Sequence, residues 1–169
     1  ELGYVKGVGE NSFAPDSDIT RAEYISVISR IATPKTERYK MRFKDVGNED
    51  WFSDYIETAY LMGLIPEGMI SGNMISPNKP ITREEVMAVA EILLEYKGKI
   101  ISGVNPELFG DDSEISEWAK DYVYKLRSIG VADGVENNNF LPKDSATRAE
   151  ICKILFMVNK FLTEEKADY

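Results

Sequence analysis

Ile19-Thr20-Arg21-Ala22-Glu23 is the stretch that organises this chain, because its pattern comes back twice. Thr82-Arg83-Glu84-Glu85 and Thr147-Arg148-Ala149-Glu150 repeat it, with the arginines 62 and 65 residues apart. A proline stands five residues before each threonine (Pro15, Pro77, Pro142), and an apolar residue stands two before each proline (Phe13, Ile75, Phe140). Further upstream, Gly3-Tyr4-Val5, Gly63-Leu64-Ile65 and Gly130-Val131-Ala132 correspond, each followed by another glycine, Gly7, Gly68 or Gly134. Copies two and three extend further back. Phe43-Lys44-Asp45 precedes Trp51 and Phe109-Gly110-Asp111 precedes Trp118, each tryptophan 12 residues ahead of its copy's first glycine. Copy one has no such front half within the sequence, so the chain holds about two and a half repeats.

Each full copy reads as helix, loop, helix. Thr-x-x-Glu is a capping box, in which the hydroxyl accepts from the backbone N–H three residues on and the glutamate reaches back to the threonine N–H. Apolar residues follow at helical spacing, which predicts helices near 20–32, 82–97 and 147–163. Tyr55, Ile56, Ala59 and Tyr60 predict a front helix near 51–62, and Trp118, Ala119, Tyr122, Val123 and Leu126 predict its counterpart in copy three. Gly63 and Gly130 suit helix C-caps. The organisation that follows is a partial repeat at 1–32, a linker at 33–42, a full repeat at 43–97, a linker at 98–107, a full repeat at 108–163 and a tail at 164–169. One helix pair buries little apolar surface, so the copies are expected to pack on each other in an all-α fold. Lacking its front helix, copy one is expected to leave part of the apolar face of helix 20–32 uncovered. A neighbouring chain, or a segment outside these residues, is expected to cover it.

Composition excludes much. The chain has 169 residues, 43% hydrophobic and 29% charged, which suits a globular protein. No apolar run approaches the roughly 18 residues that span a bilayer, so membrane insertion is not expected. No basic-then-apolar signal peptide opens the chain, and a start at Glu1 suits a processed protein or a piece of a longer one. The net charge is −9, with ten acidic against four basic residues in 43–98, so nucleic acid is not an expected partner. With one cysteine, Cys152, and no histidine, internal disulfides, Cys- or His-based zinc sites and histidine triads drop out. Cys152 reads as a small buried or half-buried side chain. The acidic clusters Asp16-Ser17-Asp18 and Asp111-Asp112-Ser113-Glu114 lack EF-hand spacing, so no metal and no cofactor is expected. A two-carboxylate glycosidase is the weakest reading, since each acid that could serve already has a structural use; the chain is not expected to be an enzyme.

The arginines stand out on chemical grounds. A cation in the first turn of a helix opposes the macrodipole by about 0.3–1 kcal/mol, yet three copies place one there. Either each arginine pairs with a local acid such as Asp18, Asp45 or Asp111, or the guanidinium and the helix-start amides form a receptor for a carboxylate. Trp51 and Trp118 fit either a core role or a flat face for a sugar ring. Asp45 and Asp111 fit either a turn role or acceptance from sugar hydroxyls.

Taken together, these motifs resemble the S-layer homology family, whose repeat carries Phe-x-Asp, Trp, a glycine-containing turn, Phe-x-Pro and Ile-Thr-Arg-Ala-Glu. The resemblance covers essentially the whole chain. It implies three repeats in a pseudo-threefold arrangement around a central helical bundle. It also implies non-covalent anchoring at the bacterial cell surface through an anionic secondary cell-wall polysaccharide, often pyruvylated, held in grooves between repeats. By resemblance, Arg21, Arg83 and Arg148 are expected carboxylate contacts, and Asp45, Trp51, Asp111 and Trp118 expected sugar contacts. Gly7, Gly68 and Gly134 are the turn glycines that let backbone approach the ligand. Glu84 stands where the family has alanine and is expected to repel a ligand carboxylate from Arg83. An alternative is a protein–protein assembly module of a surface layer without glycan binding, favoured by the acidic surface of 43–98.

Overall fold

The computed structural model of the chain describes residues 14–163. Gly7, with the rest of copy one's upstream motif, and the tail 164–169 lie outside the described residues. The described chain is all-α, with isolated bridges and no sheet. Its helices are α1 (Arg21–Ala32), α2 (Ser53–Leu61), α3 (Arg83–Tyr96), α4 (Glu117–Ser128) and α5 (Arg148–Thr163). α1, α3 and α5 are the back helices of the three copies. α2 and α4 are the front helices of copies two and three.

The capping boxes start the back helices as the sequence requires. Glu23, Glu85 and Glu150 accept from the N–H of Thr20, Thr82 and Thr147 at 2.8, 3.1 and 2.8 Å. Thr20 and Thr147 accept in return from the N–H of Glu23 and Glu150 at 3.2 and 3.3 Å. The front helices stop at Gly63 and Gly130, which take φ of 69° and 73°. The following N–H groups of Leu64 and Val131 reach back to the carbonyls of Ala59 and Leu126 at 2.8 and 2.9 Å, satisfying ends that would otherwise be bare.

Hydrogen bonds close the three copies on each other. The Ile19 N–H donates to Ala146 O (3.1 Å), the Ala146 N–H to Ile81 O (3.0 Å) and the Ile81 N–H to Ile19 O (2.9 Å). The first two amides of every back helix, which have no partner inside a helix, donate to loop carbonyls of another copy. Arg21 and Ala22 donate to Lys79 O and Pro77 O, Arg83 and Glu84 to Asp144 O and Pro142 O, and Arg148 and Ala149 to Ser17 O and Pro15 O, all between 2.9 and 3.1 Å. These are the amides that the sequence offers as part of an anion receptor. They are already occupied, because the proline-containing loops of the neighbouring copies lie against the helix starts.

The helices interlock across copies. α3 packs against α1, α4 and α5, and α1 packs against α2. A front helix therefore lies on the back helix of the preceding copy, α2 on α1 and α4 on α3. This corrects the expectation that helix 20–32 is the uncovered one. Tyr24, Ile25, Val27 and Ile28 of α1 are all buried. The open flank is on α5, where Phe156 is 69% exposed. The physical reason is the crossover: each described front helix covers the back helix of the preceding copy, and among the described residues α5 has no front helix packed on it in that way.

Glu91 on α3 lies buried beneath α4, where Lys125 meets it at 3.2 Å. Burial raises its carboxyl above the usual range, and the Lys125 contact only partly offsets this. The native state thus takes up this proton before the unfolded chain does as pH falls. Its ionisation cost appears as pH rises from the unfolded pKa through the folded one. The Glu91→Gln chain should gain stability relative to the parent across that window. Urea midpoints of both proteins at pH 4 and pH 7 check this: a difference that does not grow with pH contradicts it.

Candidate functional site

The geometry sets each box arginine against the box glutamate of another copy. Arg21 is 7% exposed. It forks onto Glu85 through Nε, at 3.0 Å to Oε2, and through Nη2 to Oε1, while Nη1 donates to the carbonyls of Ile75 (2.7 Å) and Met69 (3.2 Å). Arg83 donates to Glu150 Oε1 at 2.6 Å and to Phe140 O at 2.8 Å. Arg148 lies 3.8 Å from Glu23. Each glutamate therefore uses one carboxylate twice, to cap its own helix and to meet an arginine. The sequence-level alternatives of Asp18, Asp45 or Asp111 as partners are replaced by Glu85, Glu150 and Glu23. Adjacent helix starts bring the boxes together, and this proximity is invisible within one repeat.

The two aspartates hold loops. Asp111, 7% exposed, accepts from the N–H groups of Phe140 and Leu141 at 2.7 Å each. Asp45 accepts from Ile75 N–H at 3.1 Å and Ser76 N–H at 2.6 Å. Both bind the same turn, in which Ser76 and Leu141 take φ of 53° and 55°. Ala14 occupies the matching place in copy one with φ 47°.

The tryptophans occupy unlike surroundings. Trp118 is half-buried, and the Gly68 backbone lies on its ring. A Cβ at Gly68 would sit 2.2 Å from the indole, so only glycine permits this approach. Trp51 is 61% exposed. It borders a groove of about 650 Å³ together with Arg38, Asn48, Asp50, Asp54 and Tyr55. Its ring meets Phe52 edge-on, with centroids 5.4 Å apart.

A second, tighter cleft of about 150 Å³ opens between copies two and three. Arg83, Met87, Asp133, Gly134, Glu150 and Lys153 line it. Of the box arginines, Arg83 reaches this concave, solvent-open surface, while Arg21 and Arg148 are buried. Glu84 does not face it. Its carboxylate accepts from Ser116 N–H at 2.9 Å at the start of α4, and Lys143 lies 2.5 Å away. The expected repulsion at Arg83 is therefore corrected: Glu84 points to the other side and is neutralised there.

The S-layer homology domain profile matches residues 1–25, 42–87 and 108–152. The chain belongs to the S-layer homology (SLH) family. It is 39% identical over 156 residues to an amylopullulanase of Thermoanaerobacterium thermosulfurigenes, covering 90% of this chain and 8% of that protein. It is 29% identical over 154 residues to a cellulosome-anchoring protein of Acetivibrio thermocellus, covering 87% of this chain and 33% of the relative. It is 27% identical over 169 residues to an S-layer protein of Bacillus thuringiensis subsp. finitimus, covering 99% of this chain and 20% of the relative. The SLH chain thus spans a third or less of these relatives. Family membership makes it a cell-surface module with an anchoring role, and no described helix is long and apolar enough to cross a membrane.

In the SLH frame, Lys153 is the cleft residue the sequence reading missed. It lies 3.0 Å from Asp133 on an exposed rim. A signal for it exists in the repeat: the matching positions hold Ser26 and Ala88, and only copy three puts a cation there.

Proposed function

We propose that this SLH chain is a non-catalytic anchor that binds an anionic, pyruvylated secondary cell-wall polysaccharide, with the cleft at Arg83 taking the acidic substituent. The observation that carries this reading is the pairing of Arg83 and Lys153 on one concave surface of an otherwise acidic protein. Arg83 supplies a planar fork suited to a carboxylate. Lys153 is held by an exposed pair worth at most about 1 kcal/mol, so a ligand carboxylate can exchange for Asp133. Gly134 carries no side chain over the cleft. Trp51 offers a flat apolar face for a sugar ring of the same polymer, and its groove carries carboxylates that accept from hydroxyls. Sites on one repeating polymer then reinforce each other by effective concentration. Arg21 and Arg148 act in this reading as joints between copies, and Asp45, Asp111 and Trp118 hold the loops that shape the grooves. The cyclic bonding of the three copies supports a pseudo-threefold arrangement around a central bundle.

The test is sedimentation with purified cell-wall sacculi before and after chemical removal of pyruvate. Arg83→Ala and Lys153→Ala should each weaken binding about tenfold or more, the effect of losing roughly 1.4 kcal/mol at a charged contact. Depyruvylated sacculi should bind the parent and both variants alike. Folded Arg83→Ala protein that binds native sacculi normally rejects the cleft.

A further inference from the structure

We infer that Asp133 is a built-in competitor for the ligand carboxylate and thereby sets the affinity of the Arg83 cleft, an inference that rests on the reading of that cleft as a carboxylate site. The cleft is charge-balanced as it stands. Arg83 and Lys153 line it as cations, and Glu150 and Asp133 line it as carboxylates. Each cation already holds one of these acids. Arg83 donates to Glu150 Oε1 at 2.6 Å, and Lys153 donates to Asp133 Oδ2 at 3.0 Å. An incoming carboxylate therefore meets no net positive charge and has to replace an acid that is there before it.

The two acids differ in how readily they give way. Glu150 also accepts from the N–H and the hydroxyl of Thr147 at 2.8 and 2.9 Å, so moving it would uncap α5. Asp133 stands on an exposed rim, where its side chain is 57% and that of Lys153 is 64% exposed. An ion pair in such a setting is weak, so Asp133 is the acid that a ligand replaces. The displaced carboxylate stays close. Ala132 N–H donates to Leu126 O at 3.2 Å and Val135 N–H donates to Asn139 O at 2.8 Å, which pins the backbone on both sides of Asp133. A tethered acid of this kind competes at an effective concentration in about the millimolar range. Dilute free carboxylates therefore leave the pair closed, whereas an acid carried on a polymer brings further sugar contacts to the exchange.

The repeat places this device in copy three. Counted from the second glycine, Asp133 corresponds to Glu67; counted from the box arginine, Lys153 corresponds to Ala88. Copy two keeps an acid at the matching place and has no lysine opposite it in the repeat.

Sedimentation with native cell-wall sacculi tests the inference. Asp133→Asn should tighten binding about fivefold, the gain from freeing a cation held in an exposed pair. Glu136, an exposed acid three residues further on, controls for net charge, and Glu136→Gln should give no such gain. In the Lys153→Ala background Asp133→Asn should give none either, because no ammonium is left to free. Binding by Asp133→Asn should also fall more steeply with added sodium chloride than binding by the parent. The variant forms a new ion pair, while the parent only exchanges one pair for another. Asp133→Ser should behave as Asp133→Asn does, which removes any effect peculiar to asparagine. Parent-like or weaker binding by both Asp133 variants overturns the proposal. So does an equal gain from Glu136→Gln, or a gain that survives Lys153→Ala. If Arg83→Ala and Lys153→Ala weaken binding while the Asp133 variants gain nothing, the cleft stands as the carboxylate site and the competitor alone falls. If Arg83→Ala and Lys153→Ala bind normally, both fall.

Discussion

Glu85→Ala should be the most destabilising single change at the junctions between copies, by about 3–5 kcal/mol. The carboxylate meets Arg21 in a buried pair and also accepts from Thr82 N–H. Truncation leaves a guanidinium inside the protein with two backbone carbonyls as its remaining partners. It also removes half of the cap on α3, a contribution of about 0.5–2 kcal/mol on its own. Urea unfolding followed by circular dichroism measures the loss. The comparison that isolates the charge is the double variant Arg21→Met/Glu85→Leu, which should cost much less than Glu85→Ala because no unpaired ion remains. A single variant no worse than the double one contradicts the assignment. Glu150→Ala should cost less than Glu85→Ala, since Glu150 is partly exposed and its Arg83 partner keeps contact with water.

Asp111→Ala should follow closely, with a loss of roughly 2–5 kcal/mol for one buried and one half-buried N–H left without an acceptor. Phe140 is fully buried, so water cannot readily replace the carboxylate there. The turn it closes contains Leu141 at φ 55°, a conformation that a leucine adopts only when its surroundings hold it. Asp111→Asn retains one acceptor and should recover part of the loss. Asp45→Ala should be milder, because Ser76 is exposed and solvent can take over its N–H. Thermal unfolding of the three variants side by side tests the order. Asp45→Ala as damaging as Asp111→Ala would show that burial is not the deciding factor.

The sequence offers Arg21, the partner of Glu85, and Asp111 as ligand contacts, and the structure engages both in internal bonds. The helices themselves were legible in advance. Thr-x-x-Glu followed by apolar residues at helical spacing specifies α1, α3 and α5 to within a residue or two, because capping and amphipathicity are local. Gly63 and Gly130 mark the helix ends for the same reason, since the left-handed cap is a property of one residue and its immediate hydrogen bonds.

What escaped the sequence were partners far apart along the chain. Arg21 and Glu85 are 64 residues apart, and both belong to the same motif in different copies. Reading each copy by itself assigns Glu85 to capping and leaves Arg21 seeking an anion. Ring closure between the copies supplies that anion. Glu84 misleads in the same way, as a neighbour of Arg83 in sequence that lies on a different face of α3, at the start of α4.

The sequence alone settles that this is a repeat of helix–loop–helix units, where the back helices begin and end, and to which family the motifs point, because those properties depend on neighbours within a few residues. Only the tertiary structure decides which copy each front helix covers, which arginine keeps access to solvent and which flank stays bare. Those outcomes depend on how three similar units interlock, and α2 crossing onto α1 rather than onto its own α3 cannot be read from spacing within either unit.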